Sequence, residues 1–132
     1  AAANAVMGRL IDDDVLGRVI PAGEALQAAL TDRLGQHPHI GDIRGRGLFR
    51  GVELVADRDT KTPFAPARKL HAKVKAAAME EGLVCYPMGG TVDGRQGSHV
   101  LLAPPYNVSE NQLSDIVDRL AVSLDTTLKT LD

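Results

Sequence analysis

"HIGDIRGRGLFRGVELVAD" runs from His39 to Asp57, and the hydrophobic period of the chain changes inside it. Upstream, apolar residues recur three and four apart. Here Ile40, Asp42, Arg44 and Arg46 alternate against Ile43 and the glycines, and Val52, Leu54 and Val55 read as the end of a strand. Alternation with a period of two marks a half-buried strand. Two antiparallel strands with a Gly-assisted reversal near Gly45 to Gly47 satisfy the pattern. The glycines of "GRGLFRG" are superficially similar to a dinucleotide fingerprint. Their spacing is wrong for it, and a strand follows where a helix N-terminus would have to receive phosphate.

Upstream of this stretch the chain reads as helical. Val19, Ala22, Leu26, Ala29 or Leu30, and Leu34 form one stripe that stops at Gly35. Pro21 lies inside that stripe and predicts a kink or a break. Asp12 to Asp14 read as the cap of this helix, because three consecutive carboxylates point in different directions and make a poor metal site. The opening "AAANAVMGRLI" carries Ala2, Ala3, Val6, Met7, Leu10 and Ile11 at helical spacing with no capping residue before them. It reads as a helix that belongs with something preceding it.

Downstream, "DRDTKTPFAPARKL" is a polar connection, and Pro66 suits the first turn of a third helix. Leu70, Val74, Ala77 and Ala78 form its stripe and Gly82 ends it. Arg68 and Lys69 near its start, with Glu80 and Glu81 near its end, oppose the helix dipole, and nothing in the sequence compensates. Two strand-like runs, Leu83 to Tyr86 and Val100 to Ala103, bracket a long segment with glycines at 89, 90, 94 and 97. A plain hairpin needs only two to about five residues there. The last helix is the best marked. Ser109 is its N-cap, Gln112 completes a capping box, Val108 staples onto Leu113, and Leu113, Ile116, Val117, Leu120, Leu124 and Leu128 repeat at three and four. Pro104 and Pro105 stop the strand before it. The fold class is α/β (α+β): a small, mainly antiparallel sheet of three to four strands with helices on one face.

Composition narrows the function classes. The 132 residues suit a single domain, with 44% hydrophobic and 24% charged residues. A net charge of −2 and a pI near 6.1 give no electrostatic reason to expect nucleic acid or an anionic membrane. No apolar run reaches the roughly 18 residues of a spanning helix. Cys85 is the single cysteine, so an internal disulfide is impossible, and a cytoplasmic protein is expected. His37, His39, His71 and His99 are scattered, and no third ligand joins His37 and His39, so no metal is expected. No serine occupies a nucleophile elbow. Lys61, Lys69, Lys73, Lys75 and Lys129 all fall in polar turns or on charged helix faces, whereas a nucleophilic lysine needs a desolvated pocket.

Three segments together resemble one family. "IGDIRGRGLFRGVELV" (40–55), "EGLVCYPMGG" (81–90) and "HVLLAPPYNVSENQL" (99–113) are similar to the C-terminal small domain of class III pyridoxal-phosphate-dependent aminotransferases, of fold type I. The shared pattern is an "RGxGL" strand pair (Arg44 to Leu48), a helix ending in "GL" (Gly82 to Leu83), and an "APP" corner (Ala103 to Pro105) before a capped last helix. The resemblance implies that residues 1–132 are one small domain, and that the Schiff-base lysine and cofactor-binding residues belong to a large domain upstream of Ala1. It also implies that the opening helix belongs to that large domain. Complete members are dimers that move an amino group between an amine or amino acid and a keto acid, with the small domain shaping the substrate entrance.

From this chain alone neither catalysis nor pyridoxal phosphate binding is expected, and its partners are the large domain and a second copy. A non-catalytic self-associating module, or part of a related decarboxylase or aminomutase, are the other readings. In some relatives an arginine that clamps the substrate carboxylate stands where this chain has Tyr86, and in others where it has Leu101. Both arginines are missing here. The insertion "GGTVDGRQGSH" (89–99) supplies Arg95 instead. Arginine suits planar bidentate recognition of a carboxylate, so Arg95 is either a substrate clamp or a solvated loop residue.

Overall fold

The computed structural model describes residues 1–131. Ile40–Arg46 (β1) and Phe49–Leu54 (β2) form the hairpin expected from the change of period. Tyr86–Gly89 (β3) and Ser98–Leu102 (β4) complete a four-stranded sheet, antiparallel throughout, in the order β1-β2-β4-β3. The helices are Ala2–Asp12 (α1), Val19–Leu34 (α2), Leu70–Glu80 (α3) and Glu110–Lys129 (α4). α2 and α3 lie on one face of the sheet, and α4 packs chiefly across those two helices. Their stripes meet the inward residues Ile40, Val52, Leu54, Val100 and Leu102 in one core. Burial at about 25 cal/mol per Å² of apolar surface makes this core the main source of stability. The opposite face of the sheet carries no helix.

Several local expectations are corrected. Ile40 does not share a face with Asp42: a bulge at Gly41 shifts the register between them and turns Ile40 into the core. Pro21 kinks nothing, because it is the third residue of α2, where a backbone N–H has no acceptor within the helix. The break lies before it, as a 3-10 turn at Leu16–Arg18. The aspartates cap no helix downstream. Asp12 ends α1, Asp13 follows it and pairs with Arg9 at 3.1 Å, and Asp14 takes a left-handed φ of 46°. α3 begins at Leu70 rather than Pro66. Pro66–Arg68 form a separate 3-10 turn, and Lys69, at φ 49°, separates it from the helix. β3 lies three residues later than expected, since Leu83 drops into the core while Tyr86 to Gly89 pair with β4.

The last helix is as expected. The Ser109 hydroxyl accepts from the Gln112 amide at 3.3 Å, and the Gln112 side-chain oxygen accepts from the Ser109 N–H at 2.9 Å. α1 contributes no buried residue, and Val6, Met7 and Ile11 on it are exposed. No helix among the described residues is long and apolar enough to cross a membrane.

Candidate functional site

The uncovered face of the sheet is built by cross-strand register. One row runs Arg44, Gly51, Leu101, Tyr86 across the four strands, and the next runs Asp42, Glu53, His99, Met88. Tyr86 and Leu101, the two positions singled out by the family resemblance, are therefore direct partners on one surface, and Tyr86 is 61% exposed. Gly51 has no side chain to fill the row, so a furrow of about 330 Å³ opens there between Arg44, Phe49, Glu53, His99 and Leu101.

The cation in this furrow is already paired, and with two carboxylates around it the cluster carries a net negative charge. Arg44 donates to Asp42 at 2.8 Å and to Glu53 at 2.9 Å. The hydrogen bond to Glu53, then that to Asp42, raises the Arg44 pKa further. Burial, then the Arg44 charge, pushes the His99 pKa below its ordinary value, against a smaller opposing effect of Glu53. A neutral imidazole beside a closed ion triad suits an amphipathic wall better than a free cationic clamp.

The Gly-rich segment is shorter and more ordered by hydrogen bonds than a loose loop. Gly89 and Ser98 pair as strand residues, leaving 90–97 as the connection. The Gly90 N–H donates to the Gly97 carbonyl at 2.9 Å, and that of Val92 to Gln96 at 3.0 Å. Asp93 accepts from the backbone N–H groups of Arg95 and Gln96, at 2.9 and 2.7 Å, which lowers its pKa. Gly90 and Gly97 take φ of 75° and 87°, and a Cβ on either would collide with atoms of the same loop.

Arg95 stands on this connection and lines a cleft of about 240 Å³ against Phe64, Pro66, His71 and Ser98. That cleft lies on the side where α3 meets the sheet, because the His71 ring packs directly on Gly89. Tyr86 and Arg95 thus do not share a pocket. His99, the Arg44 triad, His71 and Ser98 were not recognisable as site residues in the sequence. The alternation in "SHVLL" separates Ser98 from His99, but only strand register shows what each faces.

The remaining histidines serve the fold. The His39 N–H donates to His37 Nδ1 at 3.1 Å, His39 Nδ1 meets the Val55 carbonyl at 3.1 Å, and His37 Nε2 lies 3.4 Å from Asp125. No group of three metal-ligating side chains occurs among the described residues. The five lysines are exposed, so the residues present do not fit the covalent anchoring of pyridoxal phosphate.

Sheet order, the uncovered face and the "APP" corner after β4 define a transaminase-type unit. The family model for class III aminotransferases matches residues 1–124. An uncharacterized aminotransferase of Schizosaccharomyces pombe is 39% identical over 131 residues, covering 99% of this chain and 28% of that protein. The taurine–pyruvate aminotransferase of Rhodobacter capsulatus is 37% identical over 124 residues, 93% of this chain and 26% of that protein. A transaminase solved in work on directed evolution by ancestral reconstruction superposes with a TM-score of 0.89 at 30% identity, covering 99% of this chain and 27% of its own. The chain belongs to the class III aminotransferases, a family dependent on pyridoxal phosphate. It spans about a quarter of the length of these relatives.

Proposed function

We propose that residues 1–132 are the single C-terminal small domain of a cytoplasmic, dimeric, pyridoxal-phosphate-dependent aminotransferase, transferring an amino group between an amine or amino acid and a keto acid. The large domain holds the cofactor, which supplies the electron sink for that transfer. The small domain forms one wall of the substrate entrance with its uncovered sheet face, where Tyr86 presents a ring with a hydroxyl tip. Arg95, which lines a separate cleft on the α3 side of the β3–β4 hairpin, takes the substrate carboxylate in place of the arginines missing at Tyr86 and Leu101. The observation that carries this reading is the direct pairing of Tyr86 with Leu101 on a face that no helix covers.

Steady-state kinetics of the complete protein test it. Amino transfer from an amino acid to a keto acid is expected. Arg95→Ala should raise KM for carboxylate-bearing substrates about tenfold or more while leaving an amine without a carboxylate unchanged, since losing one partner of a desolvated pair costs about 2–5 kcal/mol. Absence of any amino transfer to keto acids overturns the function. Equal KM values in variant and parent overturn the role of Arg95 alone.

A further inference from the structure

We propose that the cleft between the β3–β4 hairpin and the start of α3 is an anion-binding site, built by Arg95, His71 and Ser98 and taking a carboxylate or phosphoryl group. The proposal rests on the reading of Arg95 given above only in naming the substrate carboxylate as one source of the anion.

Four observations converge on this cleft. Ser98 is nine-tenths buried and lines it, and its hydroxyl, which makes no hydrogen bond within the protein among the described residues, stays open to solvent. That leaves a hydroxyl at the cleft wall free to donate to a bound group. Arg95 lines the same cleft, and no carboxylate lies within ion-pair distance of its guanidinium among the described residues. The nearest acid in sequence, Asp93, is occupied by the N–H groups of Arg95 and Gln96 and by the Gln96 side chain.

The third observation is the beginning of α3. This 11-residue helix has no side-chain cap and no acidic residue in its first turn, and its first two residues, Leu70 and His71, line the cleft. The fourth is the charge order that the sequence leaves unexplained. Arg68 is engaged by the Leu131 carbonyl beyond α4, but Lys69 precedes a helix N-terminus that already carries partial positive charge. An anion in the cleft would offset the positive end of α3, accept from the Ser98 hydroxyl and Arg95, and face the first two N–H groups of the helix, since those of Ala72 and Lys73 already donate to the Lys69 carbonyl. The wall opposite is apolar, with Phe64 and Pro66, so the site selects a small anion whose remaining body is not highly charged.

The chemistry of the cleft also separates it from the furrow on the uncovered face. There Arg44 is already neutralised by Asp42 and Glu53, and an added anion would compete with both. Anion binding therefore belongs to the hairpin cleft.

Titration of this chain with inorganic phosphate and with pyruvate, followed by amide NMR, tests the site. Saturable shifts at His71, Arg95 and Ser98 are expected, with Kd on the order of 1 mM, the range of a few polar contacts at a partly open site. Arg95→Ala and Ser98→Ala should each weaken binding about tenfold or more, since a hydrogen bond to a charged group is worth about 1.5–3 kcal/mol. Lys129→Ala, on the far end of α4, should bind as the parent does. Thermal melting of each variant shows that it folds. Saturation by both probes assigns the cleft to carboxylates as well as phosphoryl groups, and saturation by phosphate alone assigns it to phosphoryl groups. Linear, non-saturable shifts, or an Arg95→Ala variant that binds both probes like the parent, overturn the site. Neither result depends on amino transfer, so failure here leaves the aminotransferase reading untouched, and the reverse.

Discussion

At the scale of single residues, Arg50 poses the sharpest physical question. Its guanidinium is buried without a carboxylate, donating to the carbonyls of Gly45 at 2.9 Å and Gly23 at 2.8 Å while its Nε has no partner. The charge is costly to bury, yet its two hydrogen bonds tie the Gly23 carbonyl inside α2 to the Gly45 carbonyl on β1. Arg50→Met fills similar volume without those donors. It should lower stability by about 1–3 kcal/mol, read as a shifted urea midpoint. An unchanged midpoint would mean that the desolvation relieved equals the hydrogen bonds lost. His71 and Ser98 make a parallel point. Each is an unremarkable residue in the sequence, and each acquires chemistry only from what the hairpin brings against it.

Between elements, close backbone approach and histidine contacts decide the packing. α2 sits against the hairpin turn at Gly23, where a Cβ would run into the Gly47 carbonyl. Gly23→Ala should therefore destabilise by about 1–3 kcal/mol, as overpacking does. Gly8→Ala on α1 has room and should be neutral or stabilising by up to about 1 kcal/mol, so paired thermal melts separate contact from helix propensity. His37 joins the end of α2 to α4 through Asp125 and accepts the His39 N–H. Burial lowers its pKa, outweighing the opposing pull of Asp125. The sign follows directly. Below about pH 6.5 the unfolded chain takes up a proton that the folded chain resists, so stability falls as pH drops through that value toward the lower folded pKa. His99, shifted the same way, adds to the slope. Melting temperature should decline between about pH 7.5 and 6, and His37→Asn should flatten the decline. A steeper slope in the variant would assign the pH dependence elsewhere.

For the molecule as a whole, exposed apolar surface is the dominant feature. Val6, Met7 and Ile11 on α1, Leu16, and Ile20 on α2 are each more than half exposed, as are Phe49 and Tyr86 on the sheet face. Contiguous apolar patches beyond a few hundred Å² mark interfaces. The chain by itself is expected to associate, most simply as a symmetric dimer. Sedimentation velocity should show species larger than a monomer at tens of micromolar, together with binding of a hydrophobic dye. A clean monomer that binds no dye would show that these side chains are dispersed rather than joined in a patch.

The sequence by itself determined the class of elements and the family. Periods of two and of three to four are local properties, as is the Ser109–Gln112 capping box, and the "RGRGL", "GL" and "APP" segments could be read in order along the chain. It also located the anomalous stretch around Arg95 and the cations before α3, one of which, Arg68, the structure pairs with the Leu131 carbonyl. Tertiary structure alone decided the rest, because each remaining feature joins residues distant in the chain. The bulge at Gly41 places Ile40 in the core through pairing with β2, and the start of β3 depends on which residues β4 can meet. Tyr86 and Leu101 become neighbours, and Arg95 comes to face His71 and Ser98, only once strand register and helix packing are set. Register is a relation between strands, and no single strand encodes it.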